Sequence, residues 1–106
     1  MDDKCCPIER TLSVINGKWT LLILRDLLDG TRRFGELRRS LEGISPSTLS
    51  QRLRELEGQG IVSRVVYAEV PPRVEYSLTE KGKSLGAILE QMKVWGVTHA
   101  ADNDGS

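Results

Sequence analysis

The chain has 106 residues, enough for one domain of ordinary size. Apolar residues make up 39% and charged residues 28%, which excludes a disordered segment. Lys plus Arg and Asp plus Glu both count 15, so the formal net charge is zero; a nonspecific polycation is excluded, and any contact with nucleic acid must come from charge arranged locally.

No apolar stretch approaches the roughly 20 residues of a membrane span. The opening Met1-Asp2-Asp3-Lys4 leads into no signal-peptide core, so the expectation is a cytoplasmic protein without a membrane partner. Cys5 and Cys6 are the only cysteines, and His99 is the only histidine. They offer neither a disulfide framework nor a zinc site nor a nucleophile–base pair. No metal, cofactor or enzymatic activity is therefore expected.

In chain order, Pro7 suits the first turn of a helix, and Ile8, Leu12 and Ile15 recur at helical spacing before Asn16-Gly17. A second helix is predicted over Trp19–Leu28, with Trp19, Leu22, Ile23, Leu27 and Leu28 inward and Asp29-Gly30 as its stop. Thr31-Arg32-Arg33 suits an edge strand at most. Phe34, Leu37 and Leu41 space a short third helix. Ser45-Pro46 is the clearest start signal: serine caps and proline takes the first position. Leu49, Leu53 and Leu56 then form one narrow apolar stripe, and Gly58 and Gly60 close the helix.

After Gly60 the period changes. Ile61–Tyr67 is rich in β-branched residues, and Val74, Tyr76 and Leu78 alternate with polar neighbours. Pro71-Pro72 marks the tip of a hairpin between them. Thr79 caps a single last helix carrying Leu85, Ile88, Leu89, Met92 and Trp95. Ala100–Ser106 reads as a polar tail, and His99 as part of it. The order predicts a mainly α fold with a small β-hairpin wing, a winged helix-turn-helix, in one domain over 1–106.

A helix that enters a DNA groove needs a thin inner stripe, short polar groups outside, and an N-terminus open to phosphate. Ser45–Gln59 meets all three demands. Ser47 and Thr48 suit phosphate or thymine-methyl contact, Gln51 suits adenine, and Arg52 or Arg54 suits guanine or phosphate; the cap Ser45 and the polar-face Ser50 are counted with them as DNA-binding residues. Arg73, at the hairpin tip, suits the minor groove or phosphate. Arg64 on the first hairpin strand and Arg38 on the third helix suit flanking backbone, as do Arg32, Arg33 and Arg39. Eight arginines stand against six glutamates over 32–75, so affinity depends on which face the arginines share.

These segments carry a resemblance. Cys6-Pro7-Ile8-Glu9, Gly17-Lys18-Trp19-Thr20, Arg33-Phe34-Gly35-Glu36-Leu37, Ile44-Ser45-Pro46-Ser47-Thr48-Leu49, Gln51-Arg52-Leu53-Arg54-Glu55-Leu56 and the wing segment Glu69–Thr79 occur in order. From about Cys6 to Trp95 the chain resembles the HxlR-type winged-helix transcription regulators, relatives of the MarR group. The resemblance implies a homodimer that binds double-stranded DNA at an inverted-repeat operator. It also matches Cys6 to a position where members carry a redox- or electrophile-sensing thiol. A helix N-terminus is a setting in which the dipole favours a thiolate. The alternative for Cys6 is a bystander thiol, and Cys5 either resolves an oxidised Cys6 or is inert.

The last helix carries more apolar surface than one small core needs. Leu85, Ile88, Leu89, Met92 and Trp95, with Ile8 and Leu12 of the first helix, are expected to form a dimer seam. The DNA-reading part then spans about 17–78, and dimerisation uses about 5–16 and 79–99. The functional reading is a sequence-specific transcriptional regulator, a repressor, responsive to thiol oxidation, electrophiles or a small ligand. Two other classes stay open: a winged-helix protein-interaction module without DNA binding, and a thiol enzyme on Cys5-Cys6, for which no base or oxyanion partner is visible.

Overall fold

The computed structural model describes residues 6–100. Helix α1 spans Pro7–Val14, with Pro7 in the first turn and Cys6 as its N-cap. Gly17, at φ +90°, turns the chain into α2, Lys18–Leu28. A two-residue strand β1, Arg32–Arg33, leads into α3, Phe34–Ser40. The Glu36 side chain accepts the Arg33 backbone N–H at 2.8 Å and fixes the start of α3. Helix α4 spans Pro46–Gly58. Strands β2, Val62–Tyr67, and β3, Arg73–Leu78, follow, then α5, Glu80–Lys83, and α6, Gly86–Trp95, which runs into a π-helical turn over Gly96–Ala100.

The sheet is antiparallel in the order β1-β3-β2. Val62 lies opposite Leu78 and Tyr67 opposite Arg73, so the hairpin is in register along its length; Arg32 lies opposite Tyr76. Of the expected edge segment, Arg32-Arg33 does add an edge strand, paired to the returning arm of the wing.

One core joins these elements. Ile23, Leu24 and Leu27 of α2, Leu37 and Leu41, and Leu49, Leu53 and Leu56 of α4 are buried with Ile61, Val62, Tyr76 and Leu78. The α2 stripe differs from expectation. Leu28 is exposed, Trp19 and Leu22 are half-buried, and Thr20, Leu24 and Asp26 are buried instead. The reason is a rotation of the buried arc: α2 packs on the sheet and on α3 and α4, not only along the Trp19–Leu22 edge. Asp26 stays buried because Arg25 donates to one of its carboxylate oxygens at 3.0 Å and 3.1 Å.

The single last helix is also corrected. Thr79 does cap it, accepting the Gly82 N–H at 3.0 Å, but the helix breaks after one turn at Ser84-Leu85 and restarts as α6. The break follows from the anchoring of that first turn. The Thr79 N–H and hydroxyl bond to the Ile61 carbonyl at 3.0 and 3.1 Å, and the Lys81 ammonium donates to the Gln59 carbonyl at 3.1 Å. Helix α5 is thus tied to the end of α4, while α6 follows α2.

Candidate nucleic-acid interface

Helix α3, the turn after it and α4 form the helix-turn-helix. Gly43 sits in the turn at φ +93°, where an L side chain is disfavoured, with the Trp19 ring against it. Trp19 thereby serves the packing of the turn. Ser45 caps α4, accepting the Thr48 N–H at 3.1 Å and donating to the Thr48 hydroxyl at 2.9 Å. Ser45 and Thr48 are therefore engaged with each other at the helix start.

The orientation of α4 follows from its buried residues. Successive side chains are about 100° apart, so Leu49, Leu53 and Leu56 define one inward direction. Ser47, Gln51, Arg54 and Gly58 then point the opposite way, and all four are exposed. Thr48 and Arg52 lie on one flank, half-buried, and Ser50 lies on the other. The three polar positions at the front of the helix, Ser47, Gln51 and Arg54, are spaced to present their tips to a groove.

Arg52 and Arg54, interchangeable in sequence, separate here. Arg52 turns toward the α1–α2 junction and borders a cleft of about 240 Å³ with Ser13, Asn16, Thr20 and Gln59. Its guanidinium donates to Glu55 at 3.1 Å. Glu55 also accepts from Gln51 at 3.4 Å, so one carboxylate steers both side chains. The i,i+3 and i,i+4 spacing of Arg52 and Gln51 to Glu55 is the signal in the sequence for this arrangement. Arg54 instead points to the wing side, where its guanidinium donates to the Ser50 hydroxyl at 3.2 Å. It borders a second cleft with Glu57, Tyr76 and Arg64. Arg54 and Arg64, ten positions apart and on different elements, thus share one groove between α4 and the wing.

Among the described residues Arg38, on the exposed face of α3, and Arg64 are in no ion pair. Arg73 stands differently from the expected tip position. It opens β3 below the tip, pairs with Glu69 and Glu75, and stacks on Tyr67.

The expected seam divides. Ile8, Leu12, Ile88, Met92 and Trp95 are exposed, and Val94 and Val97 join them. Leu85 and Leu89 are half-buried against the chain's own core, Leu85 beside Val14 and Ile61 and Leu89 beside Leu21, Leu22 and Leu28 of α2. Cys6 is exposed at the start of α1 with a free thiol, and Cys5 lies outside the described residues. Among the described residues no cluster of His, Cys, Asp and Glu is arranged to hold a metal ion, and no helix is long and apolar enough to cross a membrane.

A short helix, a glycine turn, a capped helix with a polar front and a hairpin beside it define a winged helix-turn-helix, a fold that reads DNA. The chain belongs to the HxlR-like helix-turn-helix family, whose model matches residues 14–104. The Bacillus subtilis (strain 168) helix-turn-helix transcriptional regulator YybR is 53% identical over 91 residues, which is 86% of this chain and 73% of that one. A regulator from Methanothermobacter thermautotrophicus is 45% identical over 105 residues, 99% of this chain and 80% of its own length. The redox regulator HypR in its reduced form superposes with a TM-score of 0.89 at 46% identity, covering 95% of this chain and all of that one. Diamide-treated YodB from B. subtilis superposes with a TM-score of 0.74 at 40% identity, over 89% of this chain and 94% of that one. The protein is accordingly a helix-turn-helix transcriptional regulator.

Proposed function

We propose that the protein is a cytoplasmic, homodimeric repressor that binds an inverted-repeat operator and releases it when Cys6 is modified. The observation that carries DNA reading is the front of α4, where Ser47, Gln51 and Arg54 do no core work and Arg54 shares a cleft with Arg64 of the wing. Ser45 and Thr48 hold that helix start, Ser50 accepts from Arg54, Arg38 meets flanking phosphate, and Arg52 sets the seat of α4 through Glu55. The reading part covers about 17–78. Segments 5–16 and 79–99 supply the seam, with Ile8, Leu12, Ile88, Met92 and Trp95 as its exposed apolar residues.

The experiment is selection of duplexes from a random-sequence pool, followed by titration at several salt concentrations and by sedimentation. A selected inverted repeat, binding that weakens steeply with salt, and a dimer at micromolar concentration are expected. Binding of all sequences alike would remove the operator, and a monomer with and without DNA would remove the seam.

The thiol response rests on the exposed sulfur at the N-cap of α1, beside the seam residues Ile8 and Leu12. An adduct there disfavours the spacing of the two α4 helices, and a bias of about 1.4 kcal/mol is a tenfold loss of affinity. Wild type is expected to lose the selected duplex under diamide, peroxide or a quinone. Cys6→Ser is expected to keep it, and Cys5→Ser to release it like wild type. Retention by wild type under all three reagents, or equal release by Cys6→Ser, would remove the sensor.

A further inference from the structure

We infer that Arg73 is a positioning residue, which holds the wing tip in its DNA-competent shape and whose charge is spent inside the hairpin. The inference rests on the proposed reading of DNA by α4 and the wing.

The hairpin closes where Arg73 lies opposite Tyr67, the last residue of β2. Beyond that pair the tip has little to hold it. Pro71 and Pro72 bring no backbone N–H, and Val70 at the apex is fully exposed. Outside the strand ladder the tip contributes one backbone hydrogen bond among the described residues, from the Glu69 N–H to the Tyr67 carbonyl at 2.8 Å.

The Arg73 guanidinium fills that gap from three sides. One terminal nitrogen is 3.3 Å from the Glu69 carboxylate, on the tip. Nε is 3.4 Å from the Glu75 carboxylate, two residues along β3 and so on the same face. The guanidinium carbon sits 4.1 Å from the centre of the Tyr67 ring, on β2. Its side chain keeps only 29% of its exposure. A planar fork suits two carboxylates and a ring face at once, which an ammonium does not.

The charge follows from the same geometry. Two carboxylates surround one guanidinium, so an approaching phosphate meets a net negative group at Arg73. Arg64, in no ion pair among the described residues, and Arg54 face the groove between α4 and the wing and are the better placed cations.

The test uses the full chain and a duplex selected by wild type from random sequence. Arg73→Ala and Arg73→Lys are both expected to weaken binding about tenfold, or about 1.4 kcal/mol, with the salt slope unchanged. Base changes under the wing should lose their effect in both variants, while changes under α4 keep theirs, a split that general destabilisation does not produce. Glu75→Gln loosens the same clamp and should also weaken binding, although it removes a negative charge. Arg64→Ala should flatten the salt slope by about one.

Wild-type affinity in Arg73→Lys, with a slope flattened by about one in Arg73→Ala, would make Arg73 a phosphate contact and overturn the proposal. Tighter binding by Glu75→Gln would do the same. If wild type selects no duplex, the reading of function fails first, and the clamp is then judged by hydrogen exchange at the Glu69 amide in the free protein. Faster exchange in Arg73→Lys upholds it, and unchanged exchange overturns it.

Discussion

Gly82→Ala should destabilise the protein by about 3 kcal/mol, the upper part of the range for forcing a methyl into packed structure. A glycine inside a helix is ordinarily improved by alanine, by up to about 1 kcal/mol. Here the sign reverses. Gly82 is buried in α5, and a Cβ there would fall onto the Ile61 backbone carbonyl and within 3.0 Å of a Leu78 methyl. That carbonyl already accepts two hydrogen bonds from Thr79, so it cannot retreat without loosening the cap. The methyl therefore pushes α5 away from the start of the wing, at the joint between the reading elements and α6. On a domain of this size about 3 kcal/mol lowers the melting temperature by on the order of 15 °C. Gly58→Ala is the control: it ends α4, and a Cβ there meets nothing within 4 Å. Urea or thermal unfolding checks both. Equal stability of Gly82→Ala and wild type would mean that α5 and Ile61 do not approach as closely as described.

Arg54→Ala should cost about 1–3 kcal/mol at the selected operator, the range for losing a bidentate contact to a guanine edge. Arg52→Ala should cost less there. The difference comes from α4's rotation: Arg54 is at the exposed front beside Arg64, whereas Arg52 is half-buried on the flank toward α1 and α2 and paired with Glu55. Losing that partly exposed pair is worth about 1 kcal/mol of stability at most. Titration of both variants against the same duplex, with base changes under α4, separates the two roles. A larger loss in Arg52→Ala would mean that α4 meets DNA with its α1-facing flank.

The functional consequence is a division of labour among the arginines that share this side of the molecule. In the proposed reading Arg54 reads, Arg64 and Arg38 neutralise backbone, Arg52 seats the helix through Glu55, and Arg73 shapes the wing. With a formal net charge of zero, these local placements decide affinity.

What the sequence by itself determined is local. Ser45-Pro46 set the start of α4 by cap and fixed φ, and Leu49, Leu53 and Leu56 set its inner face. Pro71-Pro72 set the turn of the hairpin, and the alternation Val74, Tyr76, Leu78 set the face of β3 that packs inward. Six ordered segments then carried the family. These signals are short-range: a cap, a ring or a period acts within a few residues of itself. What only the tertiary structure decided depends on contacts between residues far apart in the chain. The docking of α5 on Ile61, a residue outside either helix and so outside either helix's own pattern, breaks the expected last helix at Ser84-Leu85. Packing of α2 on the sheet turned Leu28 out and Leu24 in, and Leu85 and Leu89 came to rest half-buried against the chain's own core. Arg52 parted from Arg54 because the rotation of α4 is set by the core beneath it. Arg73 became a clamp because register places it against Tyr67 with two carboxylates in reach. A side chain's partners are fixed by where other elements come to rest, and periodicity along one element carries no information about that.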